Sequence, residues 1–120
     1  MGVASSDTIE LVVRNNKEEI EEVKKNIKNL REKSPSDCFS IIFKLMNGKN
    51  ITITCFQNTK LFDIFLLLID KARDSNYTNL DKLKMYYNSV DITKYFTKES
   101  DKDVSFLKLN SFNPIININI

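Results

Sequence analysis

The sequence predicts an α+β fold in which a long N-terminal amphipathic helix precedes a sheet made from a hairpin, one crossing helix and three later strands. Three observations carry that expectation. Apolar residues recur at heptad spacing from Ile9 to Leu30, apolar and polar residues alternate on both sides of a Gly-containing turn between Phe39 and Cys55, and a second 3.6-residue apolar stripe runs from Leu61 to Ala72. A chain of 120 residues with 42% hydrophobic and 28% charged residues has the balance of one ordinary globular core. The punctuation at Ser34-Pro35-Ser36-Asp37 divides it into a helical segment with its linker, residues 1–37, and a sheet-forming domain, residues 38–120.

Asp7 and Glu10 stand at capping-box spacing, so a helix is expected to start near Thr8. Its seam comprises Ile9, Val13, Asn16, Ile20, Val23, Ile27 and Leu30, and Pro35 ends it. Val13, Ile20 and Ile27 share one heptad position, a β-branched pattern that suits a parallel two-stranded coil in which Asn16 sets register. The remaining face mixes Lys and Glu, with Glu21 and Lys25 paired at i,i+4. An isolated helix of this length is marginal in water, so the stripe must be buried, either on the same chain or in a homodimer.

Phe39, Ile41, Phe43 and Leu45 fall on one face of the first strand, Asn47-Gly48-Lys49 turns, and Ile51, Ile53 and Cys55 supply the matching face of the second. Asn58 or Thr59 is placed to cap a helix whose Leu61, Ile64, Phe65, Leu68 and Ala72 lie across that sheet up to about Arg73 or Asp74. A strand, turn and short strand follow between Leu83 and Ile92, and a last strand from Ile115 to Ile120, giving the order ββαββ-β. Phe106, Leu109 and Phe112 are expected to close one end of the core.

The helix also carries Phe62, Leu66 and Ile69 outside the stripe that the sheet can cover. These form an expected docking face for Ile20, Val23, Ile27 and Leu30, within one chain or between two; the alternative cover is the segment from Thr93 to Phe112.

Composition narrows the function. The absence of histidine removes Ser-His and Cys-His nucleophile pairs and every imidazole-ligated zinc site. Cys38 and Cys55 read as reduced thiols, not a disulfide framework. No Gly-rich phosphate loop or metal-ligand cluster is present, and the nearest thing to paired catalytic carboxylates is Asp101 with Asp103 in a Lys-rich loop. The expectation is a protein that is not an enzyme, with no cofactor and no metal. A net charge of +2, with the signs interspersed, argues against a nucleic-acid partner on electrostatic grounds. No apolar run approaches the length that spans a bilayer and no leader pattern opens the chain, so an intracellular protein, cytoplasmic or nuclear, is expected.

The run from Ile41 to Ile53, Ile-Ile-Phe-Lys-Leu-Met-Asn-Gly-Lys-Asn-Ile-Thr-Ile, resembles the opening hairpin of the ubiquitin-like family, and Asn-Thr-Lys-Leu-Phe-Asp-Ile from Asn58 to Ile64 is similar to that family's helix start. Leu83 to Ile92 looks closest to the small ubiquitin-like modifiers. The resemblance covers Cys38 to Ile120, departs between Thr93 and Val104, and implies a ubiquitin-like β-grasp, an architecture that Ras-association domains share and that hosts many functions.

Ubiquitin is recognised through an apolar patch on its exposed sheet face. The matching positions here are Met46, Tyr86, Asn117 and Asn119, so the resemblance implies a different protein partner anchored by Met46 and Tyr86, with Lys44 and Lys84 beside them. Conjugation requires a Gly-Gly tail beyond the last strand. Ile120 falls about where that strand ends, and the expectation is therefore a non-conjugating adaptor module. The alternative is a nucleic-acid-associated domain using Lys44, Lys49, Lys82 and Lys84 with Tyr86 stacking a base.

Overall fold

The computed structural model describes residues 8–73, 80–109 and 114–119. Along the chain run α1 (Ile9–Asn15), α2 (Lys17–Lys33), β1 (Phe39–Lys44), β2 (Asn50–Cys55), α3 (Leu61–Lys71), β3 (Lys84–Tyr87), β4 (Val90–Asp91) and β5 (Ile115–Asn119). Short 3-10 turns occupy Pro35–Asp37, Leu80–Lys82, Thr93–Phe96 and Val104–Leu107.

The N-terminal heptad stripe folds as two helices, not one. Thr8 caps α1, its hydroxyl accepting from the Leu11 N–H at 3.1 Å, while the cap expected of Asp7 lies outside the described residues. The break falls at Asn16, whose side-chain amide donates to the Val12 carbonyl at 2.9 Å while its backbone N–H is shared between Val12 and Val13. An asparagine side chain that competes with backbone partners in this way ends a helix, whatever the apolar spacing around it suggests. The Asn16 carbonyl then accepts from Ile20 and α2 begins.

Five strands form one mixed sheet in the order β2-β1-β5-β3-β4. β1 and β2 are antiparallel, β5 lies parallel to β1 at the centre, and β3 runs antiparallel to β5. At the hairpin turn Gly48 has φ +88°, with its N–H donating to the Leu45 carbonyl and the Leu45 N–H donating to Lys49. A Cβ there would meet nothing within 4 Å, so the turn requires glycine for its left-handed backbone and not for space.

Period-2 alternation sends Ile41, Phe43, Leu45, Ile53, Cys55, Met85, Ile116 and Ile118 to one face, where all are buried. Leu61, Ile64, Leu67 and Leu68 of α3 pack against them, closed by Phe96 and Val104 from the long connection between β4 and β5. Leu66 and Ile69 on the other side of α3, with Ala72 at its C-terminal end, form a second cluster with Ile9, Val13 and Ile20, with Phe62 packed on its margin; Ala72, expected on the sheet side, thus faces the arm. Val23 continues into the main core, Ile27 is half-buried against it, and Leu30 is 38% exposed. The apolar stripe is thus buried within the chain from Ile9 to Val23, and a homodimer through Val13, Ile20 and Val23 would require the arm α1–α2 to leave α3.

Two further expectations are corrected. Neither Asn58 nor Thr59 caps α3: Lys60 holds the cap position without a side-chain bond, and the Thr59 hydroxyl accepts from Phe56 N–H at 2.9 Å. The helix start is tied instead to the long connection, the Leu61 N–H donating to the Lys102 carbonyl and the Val104 N–H to the Thr59 carbonyl. Phe106 does not enter the core. It is 41% exposed, in a T-shaped pair with Tyr95 with ring centroids 4.8 Å apart and the Lys102 ammonium 4.5 Å from its own centroid, a pairing that lets an aromatic ring stay at the surface. Val104 takes the buried position, and Phe112 lies outside the described residues.

Candidate functional site

The face of the sheet turned away from α3 is set by the same alternation that builds the core. On β1 it presents Ser40, Ile42 and Lys44, on β5 Ile115, Asn117 and Asn119, and on β3 Lys84 and Tyr86. Strand register brings these into rows. Lys44 is opposite Asn117, Asn117 opposite Tyr86, and Tyr86 opposite Asp91. With neighbouring strands about 4.8 Å apart, Lys44 and Tyr86 stand roughly 10 Å from each other with only Asn117 between them. Lys84 is in the next row, opposite Asn119, and Met46, 63% exposed, follows the end of β1. Of the expected partner-binding residues, Lys44 and Tyr86 therefore share a row, Lys84 adjoins it and Met46 sits at its margin.

The row on the other side of Lys44 contains Ile42 opposite both Ile115 and Thr52. Ile115 is 48% exposed and Ile42 half-buried, so together they are the aliphatic centre of this face. Sequence reasoning missed both residues. The signal was available, because in the doublets Ile41-Ile42 and Ile115-Ile116 one isoleucine of each pair must point away from the core if the strand alternates.

The electrostatics of this face are mixed. Lys44 and Lys84 are exposed. The Thr93 hydroxyl and backbone N–H donate to Asp91 Oδ1 and, with Lys84 and Lys94 nearby, hold its carboxyl below the usual carboxylate range, so Tyr86 has an anion as its neighbour. Lys49 and Lys82 are exposed as well.

Asp103 accepts from the Ser105 hydroxyl, and the backbone carbonyl of Asp101 accepts from the Lys60 ammonium at 3.1 Å, bonds that hold the loop. Among the described residues no three His, Cys, Asp or Glu side chains come together to hold a metal ion. Cys55 is fully enclosed beside β1, and burial, with a smaller contribution from Cys38, pushes its thiol up to about 12. Cys38 is half-buried and its Sγ donates to the Pro35 carbonyl.

Across the interface of arm and α3, Lys24 Nζ lies 2.8 Å from Asp70, and Lys71 Nζ donates to the Thr52 carbonyl on the edge strand β2 at 2.9 Å. Asp63, by contrast, has its pKa raised by burial first and then by Glu19, against a smaller opposing effect of Lys60. No helix among the described residues is long and apolar enough to cross a membrane. Comparison with protein-family models and with curated protein sequences finds no match to this chain.

Proposed function

We propose that residues 38–120 are a β-grasp domain of ubiquitin-like type that binds another protein through the outer face of its sheet, with α1–α2 as a helical arm held on the back of α3. The fold part of this reading is supported by the sheet order: the first and last strands lie side by side and parallel at the centre, the two hairpins flank them, and one helix crosses the inner face. The functional part rests on one observation, the exposure of Ile115 and Met46 around the half-buried Ile42 and Tyr86 on an outer sheet face that the arm leaves uncovered. Aromatic and aliphatic side chains grouped at a surface, rimmed by lysines, are the composition of an interface centre with a polar margin.

The experiment is a crosslinking capture that compares wild type with Tyr86→Ala and with Ile115→Ser, each variant first shown to melt like wild type. Loss of the same captured protein in both variants is the expected outcome. Equal capture by all three proteins removes the sheet face as the site.

Lys44 and Lys84 on the face of Tyr86 also fit the alternative of a base stacked on Tyr86 between phosphate contacts. Asp91 stands against it, since a carboxylate directly opposite Tyr86 repels a phosphate backbone. A salt-dependent shift with single-stranded RNA at physiological ionic strength favours the nucleic-acid reading; no shift even at low salt ends it.

A further inference from the structure

Where α1, α2 and α3 converge they leave a cleft of about 580 Å³, well separated in sequence and chemistry from the sheet face. Arg14 of α1, Lys17 and Lys24 of α2, and Lys71 and Arg73 at the end of α3 bring five cations to its walls. Only the three carboxylates of Glu10, Glu21 and Asp70 accompany them. That surplus equals the formal net charge of the whole chain, +2, so the rest of the molecule is balanced and the excess sits here.

The cations are not all satisfied, although Lys71 Nζ is held by the Thr52 carbonyl at 2.9 Å and Glu21 lies 3.9 Å from Lys24. Asp70, whose side chain is 12% exposed, has both carboxylate oxygens engaged, one with Lys24 at 2.8 Å and one with Arg73 at 2.6 Å. It fixes those two cations in place and leaves the other guanidinium N–H groups of Arg73 without that acceptor. Arg14 is 3.9 Å from Glu10 with both side chains mostly in solvent, a geometry that contributes little. Lys17 has no ion-pair partner among the described residues. Like charges from three separate helices are thus held around one concavity whose volume lies in the range of small-molecule sites.

We propose that this cleft binds a small, multiply charged oxyanion of the phosphate class, with Arg14 and Lys17 of the arm on one side and Arg73, just past the end of α3, on the other, while Lys71 stays on the Thr52 carbonyl and adds only its field. Because its ligands come from both the arm and α3, the bound anion ties the two together, and occupancy stabilises the docked arm. The site is distinct from the sheet face and stands or falls independently of the protein-binding reading.

The test is calorimetric titration of the full chain with inorganic pyrophosphate at 150 mM salt, beside a thermal melt with and without the anion. Saturable binding and a raised melting temperature are expected, and the double variant Arg14→Ala/Lys17→Ala binds about tenfold more weakly, the effect of removing two screened unit charges. Both side chains are exposed, so the variant folds. The control Lys33→Ala/Lys98→Ala, at exposed lysines outside the cleft, binds like wild type. Sedimentation with vesicles containing a phosphorylated inositol lipid distinguishes the sources of the anion: co-sedimentation reversed by pyrophosphate assigns the cleft to a lipid headgroup, and none assigns it to a free anion. Binding confined to low ionic strength, or equal binding by wild type and the Arg14/Lys17 variant, overturns the proposal.

Discussion

Leu66 and Ile64 lie two residues apart, on nearly opposite faces of one helix, both fully buried, yet they hold different parts of the molecule together. Leu66 packs with Ile9, Val13 and Ile20 of the arm, whereas Ile64 packs with the sheet. Truncating a buried leucine to alanine costs about 2–5 kcal/mol, transfer and cavity terms together, and a fully enclosed Leu66 belongs near the middle of that range, about 3 kcal/mol. At 1.4 kcal/mol per decade that is a change of roughly hundredfold in the local opening equilibrium. The assay is native-state hydrogen exchange read by mass spectrometry on peptides from α1, the first turns of α2, and the β1–β2 hairpin. Leu66→Ala should lower protection in α1 and the start of α2 by roughly that factor while the hairpin keeps most of its own. Ile64→Ala should lower protection throughout, because its cavity opens in the core that every element shares. Unchanged α1 protection in Leu66→Ala, or the same loss profile in both variants, would refute the division into two clusters.

Asp63 gives a pH-dependent counterpart. Burial and Glu19 raise its pKa above 3.8, so the penalty on its ionised form is present at neutral pH, shrinks as pH falls through the raised value and is gone below 3.8. Asp63→Asn should therefore raise the urea midpoint at pH 7, with the difference from wild type closing near about pH 3. In thiol labelling at pH 8, Cys38 should react in the native protein, whereas Cys55, with its thiol at about 12 and no exposure, should react only as fast as β2 opens. Equal labelling rates at the two cysteines would contradict the enclosure of Cys55. Thr93→Val removes the hydroxyl that accepts from the buried Met85 N–H at 2.8 Å, at a cost of about 1–3 kcal/mol in denaturant melts. Part of that gap depends on ionised Asp91, whose lowered pKa makes its contribution complete above 3.8 and lost as pH falls through the folded value, so the gap should narrow, but not vanish, in acid below 3.8.

Much of the secondary structure was legible in the chain because one-sided burial leaves a period. Ile41, Phe43 and Leu45 alternate with polar or half-buried neighbours, and Leu61, Ile64 and Leu68 repeat at helical spacing, so most of each inner face could be read from residue spacing, though Ala72 turned to the arm and Leu67 to the sheet. Local hydrogen-bond choices were not legible in the same way. Asn16 occupies a heptad position, and only the bond from its side chain to Val12 shows that it ends one helix and opens another. The start of α3 offered Asn58 and Thr59 as caps, but the backbone of the distant segment around Lys102 and Val104 supplies the closing bonds. Phe106 and Val104 are both apolar; which one is buried depended on the path of a long connection, which no period describes.

On the candidate site the limit was register. Met46, Tyr86, Lys44 and Lys84 could be chosen one strand at a time, but their grouping into rows, and the pairing of Ile42 with Ile115, required β5 to lie beside β1, more than sixty residues away in the chain. By itself the amino-acid order determined the class of each segment, the inward face of each strand and helix, and the need for the N-terminal stripe to be covered, since these follow from local spacing and the exclusion of apolar surface from water. Only the tertiary structure decided that the cover is α3 of the same chain, which outer residues are neighbours, and where cations from three helices meet. Those outcomes depend on contacts between distant segments, whose free energies no local pattern encodes.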